Sequence, residues 1–66
     1  MTPTPEQIRA ARAAAGMTQA QAAAVVSAAR RTWQDWEAGR RRMSAGNWLL
    51  WQIRIVDRTD SEAAVA

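Results

Sequence analysis

Arg30, Arg31, Gln34 and Asp35 lie within six residues, and their types could read the edges of nucleic-acid bases. Arg31, Gln34 and Asp35 stand at i, i+3 and i+4, and Arg30 shares a helix face with Gln34. A guanidinium can bind guanine O6 and N7 together, a glutamine amide can pair with adenine, and a carboxylate can accept from cytosine N4. Each good bidentate contact of this kind discriminates by roughly 1–3 kcal/mol. Asp35 has two other uses at the same spacing: repelling a wrong sequence, or buttressing Arg31 across one helical turn. Arg40, Arg41 and Arg42 follow directly and suit phosphates, which would make binding salt-dependent. Trp33 and Trp36, three apart, fall on the opposite face and are predicted to point inward.

Other chemistries find little support. The 66 residues contain no cysteine and no histidine. Disulfides, thiol nucleophiles, His-dependent triads and His- or Cys-ligated metals are therefore ruled out. Three of the six carboxylates, Asp57, Asp60 and Glu62, fall near the C-terminus. No enzyme, cofactor or metal site is expected. All nine basic residues are arginine. Residues 1–56 carry eight of them against Glu6, Asp35 and Glu37, a balance of +5, and the remainder is −2. A basic body with an acidic tail suits a polyanionic partner. No apolar run approaches the roughly 18 residues of a membrane span. The first residues lack the basic-then-apolar pattern of a secretory signal. The expectation is a cytoplasmic protein with no membrane partner and no small-molecule ligand. A chain this short buries only about 60% of its unfolded surface. With no disulfide or metal available, a homodimer is the expected remedy.

Start and stop signals divide the chain into helices. Thr4, Pro5 and Gln7 read as an N-cap, a first-turn proline and a capping-box glutamine. Ile8, Ala11, Arg12 and Ala15 then share a face, and Gly16 supplies a left-handed end. Thr18 to Gln21 repeats the capping box and opens helix 2, over about residues 18–26. Helix 3 covers about 30–38 and stops at Gly39, and Ser44 caps helix 4, predicted over about 45–56. Gln52 to Val56 also admits a strand, because Ile53, Ile55 and Val56 are β-branched. Residues 57–66 lack an apolar period and are predicted to form a flexible acidic tail. Helix 4 carries two apolar stripes, Trp48, Trp51 and Ile55, and beside them Leu49, Ile53 and Val56. One face cannot cover so much apolar surface. Trp48, Trp51 and Ile55 are assigned to a dimer interface, with the protomer core as the other destination. Base stacking by the four tryptophans is the weaker reading, since they stand in two i, i+3 pairs inside helices.

Met17–Ala23 (M-T-Q-A-Q-A-A), Val26 and Thr32–Arg40 (T-W-Q-D-W-E-A-G-R) align without a gap to one known pattern. Over most of its length the chain resembles the Cro/repressor-type (XRE) helix-turn-helix family of phages and bacteria. The stretch R-T-W-Q-D-W-E-A-G-R is also similar to small phage regulators of the anti-CRISPR-associated group, which repress their own operons. The first resemblance implies an all-α, lambda-repressor-like domain of four helices, five if the tail forms one, occupying residues 1–56. Residues 30–38 become its recognition helix. It implies base-edge contacts at Arg30, Arg31, Gln34 and Asp35, and a phosphate contact at Gln19, assisted by Thr18 and Thr32. It implies a structural pair between Arg12 and Glu37, which a partly buried carboxylate requires. The family's turn usually has glycine where Ser27 stands, and its helix 3 starts with Ser or Thr where Ala29 stands. Ala22 and Ala28 replace larger apolar residues, and Trp33 and Trp36 opposite them conserve volume.

The reading that follows is a homodimeric, sequence-specific repressor of its own operon, from a phage or other mobile element in a bacterial host. Two recognition helices would enter successive major grooves of double-stranded DNA at an inverted repeat, with half-sites about 10 base pairs apart. The alternatives are an antitoxin-type regulator, or a protein-binding module that uses the Trp-rich helix 4.

Overall fold

A computed structural model describes the backbone of residues 2–65 and the side chains of residues 2–57. The chain folds as α1 (Pro5–Ala14), α2 (Gln19–Val25), α3 (Arg30–Ala38) and α4 (Ala45–Val65). No strand occurs among the described residues. Gln52 to Val56 lies within α4, where no second strand is available to pair with it.

The helix starts follow from their caps. The Thr4 hydroxyl accepts from the Gln7 amide at 3.1 Å, and the Gln7 side chain accepts from the Thr4 amide at 2.8 Å. Thr18 and Gln21 repeat this arrangement at 3.1 and 2.9 Å. Each box satisfies two backbone donors that a helix start leaves open. Ser44 Oγ accepts from the Asn47 amide at 3.1 Å and opens α4.

The first three helices end alike. Gly16, Ser27 and Gly39 have φ of 68°, 55° and 79°. In each case the left-handed residue's amide, and the amide after it, donate back to carbonyls of the last turn. This paired closure satisfies carbonyls the helix would otherwise orphan. Glycine enters the left-handed region freely; Ser27 does so against a penalty of roughly 1–2 kcal/mol.

The core consists of Ile8, Ala22, Ala23, Trp33, Trp36, Met43 and Trp51. Trp33 sits at its centre, with ring centroids 5.6 Å from those of both Trp36 and Trp51. The alanines of α2 leave room for these rings, as close packing requires. Ala28 packs at the edge of the same cluster. Trp51 places its indole N–H on the Ala22 carbonyl at 3.1 Å, so its one polar atom is satisfied where it is buried.

Two expectations about α4 are corrected. The helix does not stop near Val56 but runs through Asp57 to Val65, so the predicted tail continues the helix; only Ala66 of it lies outside the described residues. No glycine or proline follows Gly46, and Arg58, Glu62, Ala63 and Ala64 are good helix formers. A missing apolar period removes a reason for burial, not a reason for helix. The second correction concerns the assigned dimer stripe. Trp51 belongs to the protomer core, and Trp48 and Ile55 are half-buried against that core. Trp48 stacks on Trp51 with rings 4° from parallel. The apolar side chains left exposed are Leu49 (59%), Leu50, Ile53 and Val56 (58%). Both faces of α4 are apolar, and the volume of the indoles decides which one turns inward. Among the described residues, no helix is long and apolar enough to cross a membrane.

Candidate nucleic-acid interface

The interface is organised from a buried carboxylate outward. Glu37 is 4% exposed and lies on the inner face of α3. Arg12 donates from Nε to Oε2 at 2.6 Å and from Nη2 to Oε1 at 3.2 Å. The Trp33 indole N–H donates to Oε2, one helical turn away. Gln19 Nε2 donates to Oε1 at 3.2 Å. Arg12 also donates to the Met17 carbonyl at 3.1 Å, and Arg9 donates to the Glu37 carbonyl at 2.6 Å. Burial alone would raise the Glu37 pKa. Hydrogen bonds from Arg12, Trp33 and Gln19, with the Arg12 charge, outweigh burial and hold it below its ordinary value. The Arg12 guanidinium is raised in turn, chiefly by its hydrogen bond to Glu37. One carboxylate thus ties α1, α2 and α3 together.

Sequence reasoning had only the Arg12–Glu37 part of this cluster. Trp33 was legible as a partner, because it stands four residues before Glu37 on one helix. Arg9 and Gln19 come from other elements and gave no local signal.

Gln19 was expected at a phosphate. Its amide is engaged at both ends within the protomer: the nitrogen faces Glu37, and the oxygen accepts from Gln34 Nε2 at 3.3 Å. An ionised carboxylate can only accept, so the orientation of the Gln19 amide is fixed chemically. Gln34 is consequently half-buried and clasped to α2 rather than free on the surface. It keeps its side-chain oxygen and one N–H for other partners.

The outer face of α3 begins with Arg30 and Arg31, both exposed. Thr32 is half-buried beside them, and Thr18 is exposed with its hydroxyl in the α2 cap. Asp35 is recessed at 17% side-chain exposure between two exposed arginines, Arg31 at 77% and Arg40 at 71%. Arg41 and Arg42 are exposed on the loop after α3, and their neighbour Met43 is buried and anchors that loop in the core.

Two short helices therefore meet across a four-residue turn, residues 26–29, with the second presenting arginines outward and tryptophans inward. A family profile described as a helix-turn-helix domain matches residues 6–60. The chain belongs to the helix-turn-helix family. Its type is that of Cro and the repressors, and the class is one of DNA-binding regulators. No curated protein matches the chain.

In this helix-turn-helix domain the turn departs from the usual chemistry at two points. Ser27 takes the left-handed position itself and closes α2 through its backbone amide. Ala29 is the N-cap of α3 and offers no side-chain acceptor, so the helix bearing the arginines starts uncapped.

Proposed function

We propose that the protein is a homodimeric, sequence-specific repressor that binds an inverted repeat in double-stranded DNA and controls its own operon in a phage or other mobile element. The observation that carries this reading is the exposed pair Arg30 and Arg31 at the start of α3. The opposite face of that helix is locked into the core through Trp33, Trp36 and Glu37. A helix held this rigidly suits a groove about 12 Å wide. Arg30 and Arg31 read base edges, and Gln34 reads from a position fixed by Gln19. Arg40, Arg41 and Arg42 bind phosphates, with Thr18 and Thr32 as further phosphate contacts, while Gln19 acts through Gln34.

Exposed Leu49, Leu50, Ile53 and Val56 support a self-associating α4. An inverted repeat requires a two-fold axis that places two recognition helices on one side of the dimer. Repression by occlusion then needs only affinity and placement. The binding module built on the tryptophans of α4 loses support, since Trp51 is already in the core.

The test is selection of bound sequences from random duplex DNA. An enriched inverted repeat with half-sites about 10 base pairs apart is expected. Enrichment of nothing would overturn the reading, and a lone half-site would overturn its dimeric part.

A further inference from the structure

Resting on the DNA-reading role of α3, we propose that Asp35 is a specificity-determining positioning residue that aims Arg31 and restrains phosphate binding, without itself contacting a base. Asp35 Oδ1 lies 3.7 Å from Arg31 Nε and 3.8 Å from Arg40 Nη1. The carboxylate is recessed, and both guanidinium groups stand outside it. A base edge approaching α3 meets the arginines before it reaches the acid.

The atom that pairs matters. Arginine has five N–H donors, one on Nε and four on the two terminal nitrogens. The Arg31 atom paired with Asp35 is Nε, at ion-pair rather than hydrogen-bond distance, which leaves both terminal nitrogens available as a fork. That fork is the part that matches guanine O6 and N7. The single carboxylate also sits beside Arg40, the first of the three arginines that follow α3. It therefore subtracts from the field that attracts phosphates of any sequence. Both effects act in one direction. Asp35 strengthens the correct site and weakens the incorrect ones.

Its backbone is occupied independently, because the Asp35 carbonyl accepts the amides of Arg40 and Arg41 at 2.9 and 3.3 Å. A side-chain substitution leaves that helix end in place, so Asp35→Asn and Asp35→Ala are expected to fold.

The experiment selects sequences from random duplex DNA with wild type, Asp35→Asn, Arg31→Ala and the double variant. Affinities for the selected operator and for a scrambled duplex are then measured across salt. The Asn variant is expected to bind the scrambled duplex more tightly and with steeper salt dependence. It is expected to lose roughly tenfold of its discrimination at one base pair, the range of a single bidentate contact. That base pair is the one Arg31→Ala also loses, and the double variant loses nothing more there. Loss at a different pair, one where cytosine is preferred, would overturn the proposal in favour of direct reading. Unchanged discrimination would also overturn it, leaving Asp35 an ordinary surface partner. If wild type enriches no sequence, the DNA-reading role itself fails; if it enriches one that Asp35→Asn reads equally well, only this inference fails.

Discussion

Gln19 Nε2 lies 3.2 Å from the buried Oε1 of Glu37, and this contact joins the outer face of the recognition helix to its inner anchor. On one side of it Arg12 and Trp33 complete the shell of Glu37. On the other side Gln34 donates to Gln19 and reaches the surface. No buried side-chain nitrogen or oxygen among the described residues lacks a partner. A cluster so fully satisfied rigidifies what it holds, and removing one member strands the others.

Glu37→Ala leaves Arg12 and the Trp33 N–H without their acceptor. Breaking a buried ion pair costs about 3–5 kcal/mol, and the low end applies because Arg12 retains 24% exposure. About 3 kcal/mol is a large share of the stability of so small a domain. Urea unfolding of wild type and variant would measure it. A loss under about 1 kcal/mol would show that the cluster does not hold the fold.

The same carboxylate sets an acid limit. Its folded pKa lies below the ordinary 4.5. Its ionised contribution is therefore complete above about 4.5 and is lost as pH falls through the lower folded value. Stability followed against pH should decline on that acid limb in wild type. The decline should be shallower in Glu37→Gln, which has no proton to take up. Parallel curves would place the acid sensitivity elsewhere.

Ser27 and Ala29 mark where the turn is suboptimal. Ser27→Gly relieves the positive φ and should stabilise by about 0.5–1 kcal/mol after the extra unfolded-state freedom of glycine. Ala29→Ser supplies the missing cap of α3 and should add about 1 kcal/mol. Together they raise the thermal midpoint by several degrees at about 4–8 °C per kcal/mol for a domain of this size. Calorimetry showing no rise would mean that Ser27 and Ala29 already have compensating contacts.

Much of this architecture was legible locally. Capping boxes at Thr4 and Thr18 and the stops at Gly16 and Gly39 are short-range signals, and helices formed where they predicted. Arg12–Glu37 was legible through resemblance. The Gln19 bridge was not, because Gln19, Gln34 and Glu37 lie on two helices and meet only once the core has closed. The facing of α4 was hidden for another reason. Trp51 and Ile53 lie on adjacent apolar stripes, and periodicity ranks neither; the small side chain of buried Ala22, whose carbonyl takes the Trp51 indole N–H, does. The end of α4 was not legible because residues 57–65 lack the apolar period that burial imposes, and helix there rests on propensity alone.

The proposed dimer rests on the exposed α4 stripe of Leu49, Leu50, Ile53 and Val56. Ile53→Glu places a charge on a side chain that is half-exposed in the protomer, so the fold should survive. Sedimentation should show wild type as a dimer at micromolar concentration and the variant as a monomer. Operator affinity should fall by about 100-fold or more, because two half-sites are no longer linked. A monomeric wild type, or a variant that still dimerises, would place the interface off this stripe.

The proposed reading by Arg31 and clamping by Arg41 can be separated by substitution. Arg31→Ala should relax preference at one base pair, costing roughly 1–3 kcal/mol there. Arg41→Ala should weaken every sequence alike and make the salt dependence shallower. Equal, sequence-blind losses from both would contradict the division of roles between α3 and the loop that follows it.

Mapping amide and side-chain resonances of isotope-labelled protein during titration with the selected duplex shows most directly which surface meets DNA. Perturbations centred on Arg30, Arg31 and Gln34, extending to Arg40, Arg41 and Arg42, are predicted. Perturbations confined to α4, with the start of α3 unmoved, would contradict DNA reading by α3.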